Sequence, residues 1–189
     1  MKLISLNTWG GRAGKEKLLA FFAAHKDVDV FCLQEIWSAP YEHLGGHIPE
    51  GDVGFHARNV QFATIATKNG NRSILNFHGL WNGGGKGDSE DRLLQSDRII
   101  QFMKTLSNPY VMSGDFNLLP DTQSIKKLED FGLHNLIKEN GVTSTRTSFY
   151  TKAEKFADYA LTSKEITIKD FKVLTDEVSD HSPLYLEFE

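Results

Sequence analysis

At 189 residues, with 40% hydrophobic and 24% charged side chains, the chain can bury one substantial core and has the balance of an ordinary globular protein. A net charge of −4 lacks the basic excess that advertises nucleic-acid binding, which leaves such a partner to a local patch or a bound cation. The one cysteine, Cys32 in the apolar run Val30-Phe31-Cys32-Leu33, excludes an internal disulfide and suits a cytoplasmic protein. The apolar stretch at the N-terminus is too short for a signal peptide, and nothing approaches the length of an integral membrane span.

Lys2–Leu6 reads as a short strand that meets Asn7 ahead of Gly10 and Gly11. Lys15–Ala24 reads as a helix with Leu18, Leu19 and Phe22 on one face. Asp29–Leu33 is a continuous apolar run, as in a strand buried on both faces, and ends in Gln34 and Glu35. Residues 38–57 are rich in Gly, His and Pro and show no periodicity. Val60–Thr67 and Arg72–Phe77 read as the arms of a hairpin around Lys68-Asn69-Gly70-Asn71, with the second arm ending at His78. The Gly-rich stretch Trp81–Glu90 reads as a flexible loop, either a substrate cover or a plain solvated turn. A helix over Asp91–Leu106 carries Ile99, Phe102, Met103 and Leu106 on one stripe. Tyr110–Met112 begins a strand that ends at Asp115, and Ser124–Glu129 forms a short helix. Ala157–Thr162 is a strand bearing Asp158, and Ile166–Leu174 and Leu184–Phe188 are the last two strands. There is no repeat and no linker, so residues 1–189 read as one domain. Strands in runs with intervening helices imply an α/β fold of two or four layers, with stacked sheets and outer helices.

The polar residues fall at strand ends: Asn7, Glu35, His78, Asp115 with Asn117, Asp158, and Asp180 with His181. Each has a bland reading as a turn residue or a solvated strand end. As an ordered set they describe a site built from strand ends and loops on a rigid scaffold. Glu35, Asp115, Asp158 and Asp180 would repel one another if gathered without compensation. A divalent cation relieves that, and oxygen donors without a Cys or His cluster suit Mg²⁺ or Mn²⁺ rather than zinc. Carboxylates, a hard cation, amides and two imidazoles make a set for hydrolysing phosphoesters. Asp115 and Asn117, two residues apart on an extended strand end, would share a face, with Phe116 turned into the core.

The pieces Leu6–Gly11 (LNTWGG), Phe31–Trp37 (FCLQEIW), Asn76–Trp81 (NFHGLW), Gly114–Pro120 (GDFNLLP), Phe156–Leu161 (FADYAL) and Ser179–Leu184 (SDHSPL) stand in an order that resembles the endonuclease/exonuclease/phosphatase superfamily of deoxyribonuclease-like metal-dependent phosphoesterases. The resemblance implies a four-layered α/β sandwich of two packed mixed sheets flanked by helices, with the site at one rim. It implies Glu35 and Asn7 as metal ligands, with Asp180 joining directly or through water. It implies Asp115 as the group that orients or deprotonates water, Asn117 and His181 as phosphate contacts, and Asp158 as the carboxylate behind His181. His78 matches a histidine of the deoxyribonuclease and sphingomyelinase branches, near the leaving oxygen. Trp9 stands where abasic-site endonucleases carry an acid, which disfavours that subclass.

The implied partner is a phosphate-ester substrate, with nucleic acid, a nucleotide, a phospholipid head group and an inositol phosphate as candidates. The oligomeric state is not legible. The span from Trp37 to Arg58 is short for the family, so the fold is expected to be partly truncated there, with an incomplete sheet edge or a more open cleft. Arg58 and Asn59 then stand nearest for the missing phosphate contacts, and Trp37, Tyr41, Trp81 and Lys86 for rim positions. The short span also supports an alternative: a weak or inactive family member serving as a binding or scaffold domain.

Overall fold

The computed structural model describes residues 1–36 and 58–189. Trp37, Tyr41 and the expected truncation over residues 38–57 lie outside the described residues. In chain order the elements are β1 (Lys2–Asn7), α1 (Lys15–Ala24), β2 (Val30–Gln34), β3 (Val60–Thr67), β4 (Gly70–His78), α2 (Glu90–Met103), β5 (Tyr110–Asp115), α3 (Gln123–Asp130), β6 (His134–Asn135), α4 (Leu136–Glu139), β7 (Asp158–Thr162), β8 (Ile168–Val173) and β9 (Leu184–Phe188). One sheet has the order β2-β1-β9-β8 and the other β3-β4-β5-β7-β6. Each is mixed, with β1 and β2 parallel in the first and β4 and β5 parallel in the second. Among the described residues, β2 and β3, the strands on either side of residues 37–57, are both edge strands.

The sheets pack face to face. One apolar cluster joins Leu3, Leu184 and Phe188 of the first sheet to Leu75, Val111 and Tyr159 of the second. It continues to Ile99 and Met103 of α2 and to Ile125 and Leu128 of α3. A second cluster packs Phe21, Leu18 and Phe22 of α1 against Ile4, Leu6, Phe31 and Leu33. The expected α/β sandwich of two mixed sheets flanked by helices is therefore present. Among the described residues no helix is long and apolar enough to cross a membrane.

Strand alternation explains where the site forms. On β1 one face reads Leu3, Ser5, Asn7, and on β5 the matching face reads Val111, Ser113, Asp115. β4 adds Ile74, Asn76, His78, and β2 adds Cys32 and Gln34. Each series runs from apolar to small polar to amide, acid or imidazole, so the space between the sheets is dry at one end and charged at the other. Gln34 Nε2 donates to Asn76 Oδ1 at 2.6 Å, which joins the two sheets just below that end.

Several local expectations change. Leu19 is 56% exposed, and Phe21 takes its place against the sheet because the 3.6-residue period pairs 18 with 21 and 22. α2 ends at Met103, three residues early, in a turn closed by Leu106 N donating to Met103 O at 3.0 Å. β6 and α4 carry no sequence signal long enough to read. The Gly-rich loop is fastened rather than free. The buried Arg92 guanidinium donates to the carbonyls of Gly87, Gly85 and Leu80. Asp88 accepts from the Gln123 and Ser124 amides at the start of α3, at 2.7 and 2.9 Å.

Gly114 has a φ of +147°, and a Cβ there would lie 1.9 Å from the Phe77 carbonyl oxygen on β4. At Gly132, φ is +106° but nothing lies within 4 Å of a built Cβ. Gly132→Ala is therefore expected to cost only the backbone strain, roughly 1–2 kcal/mol. Gly114→Ala should cost on the order of 3–5 kcal/mol, because the β4–β5 pair must separate. Denaturant unfolding of the two variants separates strain from close approach.

Candidate active site

Among the described residues, three non-glycine residues occupy the left-handed region: Trp9 (φ 52°), Glu35 (φ 54°) and Asn117 (φ 55°). Each lies just past the end of a strand, β1, β2 or β5, so the strain is concentrated at the charged rim. Asn117 corrects the expectation of a shared strand face. The strand stops at Asp115, and Asn117 N donates to Asp115 Oδ1 at 2.9 Å in an Asx turn. The left-handed backbone then aims Asn117 Nδ2 at the Gly79 carbonyl, 3.3 Å away. Both side chains are buried, and Phe116 enters the core as expected. The stretch is at once a turn and part of a site.

The first group of side chains gathers around Asn7. Its Nδ2 donates to Asp115 Oδ2 at 2.9 Å and to Glu35 Oε1 at 3.2 Å, while its Oδ1 accepts from Trp9 N at 2.9 Å. His78 Nε2 lies 3.7 Å from both of those carboxylate oxygens. Arg58 Nη1 rests on the His78 ring, 2.6 Å from Nδ1, so this expected phosphate contact does reach the site. Burial pushes the His78 imidazole below its ordinary value despite the pull of Asp115.

The second group shares Asp115. Asp158 stands directly opposite it across the antiparallel β5–β7 pair, a like-charge placement that needs a cation. His181 supplies it. Its Nδ1 lies 2.8 and 2.9 Å from the two Asp158 oxygens, and its Nε2 lies 3.8 Å from Asp115 Oδ2. Thr145 Oγ1 donates to Asp158 Oδ2 at 3.0 Å and fixes the carboxylate from behind. Burial would lower the His181 value, but Asp158 and Asp115 outweigh it and hold the imidazole above its ordinary range. Burial would raise Asp115, but His181, His78 and Arg146 outweigh it and hold the carboxyl below the usual range.

Asp180 stands somewhat apart. Its Oδ2 faces Arg146 Nη1 at 3.3 Å and its Oδ1 lies 3.8 Å from His181 Nε2. The structure thus brings Asn7, Glu35, His78 and Asp115 together on one side, and Asp115, Asp158, His181 and Asp180 on the other. One donor atom from each of Glu35, His78 and Asp115 falls within 4.8 Å of the others, and so it does for Asp115, Asp158 and His181. Two carboxylates and an imidazole at that spacing fit a divalent cation. Asn7 here presents its N–H₂ to both carboxylates and its Oδ1 to the Trp9 amide. A hollow of about 210 Å³, lined in part by Glu35, His78, Asn76 and Asn59, opens beside this group.

Sequence reasoning missed Arg146 and placed Lys86 at the rim. Lys86 is 4% exposed, and its Nζ donates to the Phe156 carbonyl at 2.8 Å. Lys86 Nζ lies 5.0 Å and Arg146 Cζ 4.0 Å from the centre of the Tyr150 ring. Lys152 Nζ likewise lies 5.9 Å from the Trp81 ring, so reciprocal cation–π contacts join the 79–89 and 144–156 segments. The signal was present only as cationic and aromatic residues, Arg146, Phe149, Tyr150 and Lys152, brought together without a period in a polar stretch.

Burial, and then the charge of Arg146, push the Lys86 ammonium down to about 8. Its unfolded value is 10.5, so the unfolded chain binds the extra proton between these limits and wild-type stability rises with pH across them. Below about 8 the penalty is constant. Lys86→Met is therefore expected to be more stable at pH 7 by on the order of 2 kcal/mol, a gap that closes toward pH 10. Unfolding curves of both proteins in divalent-free buffer at several pH values check this.

The sequence model of the Endonuclease/Exonuclease/phosphatase family matches residues 4–181. Among solved structures the chain is similar to an endonuclease/exonuclease/phosphatase family protein from Bacteroides thetaiotaomicron, with TM-score 0.69, 16% identity, and coverage of 100% of this chain and 94% of that one. It is similar to the mannosyl-6-phosphatase Bt3783 of Bacteroides thetaiotaomicron VPI-5482, with TM-score 0.68, 15% identity, and coverage of 100% and 99%. It is also similar to D. rerio TDP2 complexed with a single-strand DNA product, with TM-score 0.68, 16% identity, and coverage of 100% and 98%. No curated protein matches the chain.

Proposed function

The chain belongs to the endonuclease/exonuclease/phosphatase family, and on that premise we propose that it is one catalytic domain, cytoplasmic by its lone buried thiol Cys32, that hydrolyses a phosphodiester of nucleic acid or of a small molecule with Mg²⁺ or Mn²⁺. The observation that carries this reading is Asp115, buried and shared between a cation-sized group of donors and a His–Asp pair. Glu35 and Asn7 would hold the cation, with Asp180 joining them directly or through water. Such a cation neutralises phosphate charge and lowers the pKa of bound water.

The chain's own groups then divide the work. Asp115, kept ionised by His181 and His78, orients the attacking water and accepts its proton. Asn117 and His181 contact the phosphate oxygens as charge develops. Asp158 takes the Nδ1–H of His181 and leaves Nε2 directed toward Asp115 and the phosphate. His78, its imidazole pushed below its ordinary value by burial, lies near the leaving oxygen.

The test is release of p-nitrophenol from bis(p-nitrophenyl) phosphate, alongside DNA, RNA, nucleotides and inositol phosphates, with Mg²⁺, Mn²⁺ or EDTA. Cation-dependent turnover is expected. Absence of turnover on every substrate, with no heat in a Mg²⁺ titration, overturns the reading in favour of a binding or scaffold domain. A mannosyl-6-phosphatase and a DNA-bound TDP2 stand among the structural neighbours. Their substrates differ, so the substrate has to be read from this chain's own cleft.

A further inference from the structure

The 79–89 and 144–156 segments form a wall beside the His181–Asp158 pair. Lys86 Nζ donates to Phe156 O, two residues before Asp158, and Leu119 N donates to Lys86 O at 2.9 Å, two residues after Asn117. Arg146 pairs by its backbone with His181, and its neighbour Thr145 bonds Asp158. The wall thus belongs to the Asn117–Asp158–His181 flank, whereas Arg58 and His78 belong to the Glu35 flank.

Two buried cations share this wall and one aromatic ring, Tyr150. The Arg146 side chain is 5% exposed, and its contact with Asp180 at 3.3 Å engages Nη1 alone. Its Nε–H is buried and finds no acceptor among the described residues. The Lys86 ammonium offers three donors. A neutral carbonyl takes one of them, and Lys86 makes no ion pair among the described residues. Burying two like charges around one ring is costly unless an anion compensates them. The nearby carboxylates do so only in part: Asp180 meets Arg146, while Asp115, Asp158 and Glu154 act on Lys86 through space. A tetrahedral anion with several oxygens matches this set of unmatched donors.

We propose that Lys86 and Arg146, backed by Tyr150, form a second phosphate-binding subsite that takes the phosphate next to the scissile one. The placement of the scissile phosphate rests on the hydrolase reading above; the anion subsite does not. The substrate class that follows is a phosphodiester with a second phosphate one unit away, such as a 5′-phosphorylated oligonucleotide end or a doubly phosphorylated small molecule.

Calorimetric titration of inorganic phosphate into the protein in EDTA, at low ionic strength, tests the subsite itself. Without a divalent cation the Glu35–Asp115 side is anionic and repels phosphate, so binding reports on the cationic wall. One phosphate per chain is expected, weakened about tenfold or more in Lys86→Met and in Arg146→Gln and weakened by added salt. Lys86→Met is expected to fold, so it stands as the decisive variant if Arg146→Gln does not. No binding by the wild type, or equal binding by wild type and Lys86→Met, overturns the proposal.

Turnover with Mg²⁺ then distinguishes a substrate's neighbouring phosphate from free phosphate. The kcat/KM ratio for the dinucleotide pTpT over TpT should fall about tenfold in Lys86→Met. An equal loss on both dinucleotides would assign the cations to the scissile phosphate and sink the proposal. Phosphate binding that depends on Lys86 without turnover of any substrate would sink the hydrolase reading and keep the subsite.

Discussion

Asp115→Asn is expected to lower kcat by about 10³-fold while the fold survives. The residue is the one carboxylate common to both groups of the site, so its charge is needed wherever water is activated. The geometry permits the substitution. Asp115 Oδ1 accepts from Asn117 N and Oδ2 from Asn7 Nδ2, at 2.9 Å each. A carboxamide keeps one of these bonds and turns the other into a donor facing a donor, at a cost of roughly 1–3 kcal/mol. Loss of the like charge opposite Asp158 offsets part of that cost. The variant should therefore keep its circular dichroism and melt cooperatively within several degrees of wild type. A kcat within threefold of wild type would remove Asp115 from the chemistry.

The same variant changes the acid limb of stability. The folded Asp115 carboxyl titrates below its ordinary value of 3.8. Its contribution is present above the unfolded value and is lost as pH falls through the folded one. Asp115→Asn should flatten that part of the curve relative to wild type, as followed by denaturant unfolding from about pH 5 down to about pH 2.

What the sequence discloses and what it withholds follow different physics. Leu3-Ser5-Asn7 and Val111-Ser113-Asp115 are legible because strand alternation places every second residue on one face and ends each series at the rim. Asn7, His78, Asp115 and Asp158 meet for that reason, whereas Glu35 joins them as a left-handed residue just past β2 and His181 from the segment before β9. Asn117 lies beside Asp115 by a different geometry from a shared strand face, since a single left-handed residue breaks the alternation. Arg146 and Lys86 lie in segments with no period at all. Their positions depend on contacts such as Lys86 Nζ to Phe156 O, 70 residues apart in sequence. The Gly-rich loop looks free in sequence because its anchors, Arg92 and the Ser124 amide that bonds Asp88, lie outside it.

The second large effect concerns the pair behind the phosphate contact. His181→Gln should lower kcat by about 10²- to 10³-fold, and Asp158→Asn by about 10- to 100-fold. Asp158 acts through His181, so its variant has a signature that a merely structural role would not give. In wild type, burial would lower the His181 value, but Asp158 and Asp115 outweigh it and hold the imidazole above its ordinary value of 6.5, which favours its charged form. If the charged form contacts the phosphate, kcat falls as pH rises through that value. Removing the Asp158 charge lowers it, so the falling limb moves to lower pH, and Asp158→Glu should move it back.

Stability carries the opposite face of the same linkage. The charged pair contributes fully below the unfolded value of 6.5 and fades as pH rises through the folded one, so Asp158→Asn should lose more stability at pH 5.5 than at pH 8. The double variant His181→Gln/Asp158→Asn should be little slower than His181→Gln alone, because one unit has been removed twice. A falling limb that stays in place in Asp158→Asn, or fully additive losses in the double variant, would mean that Asp158 shapes the loop and does not tune the imidazole.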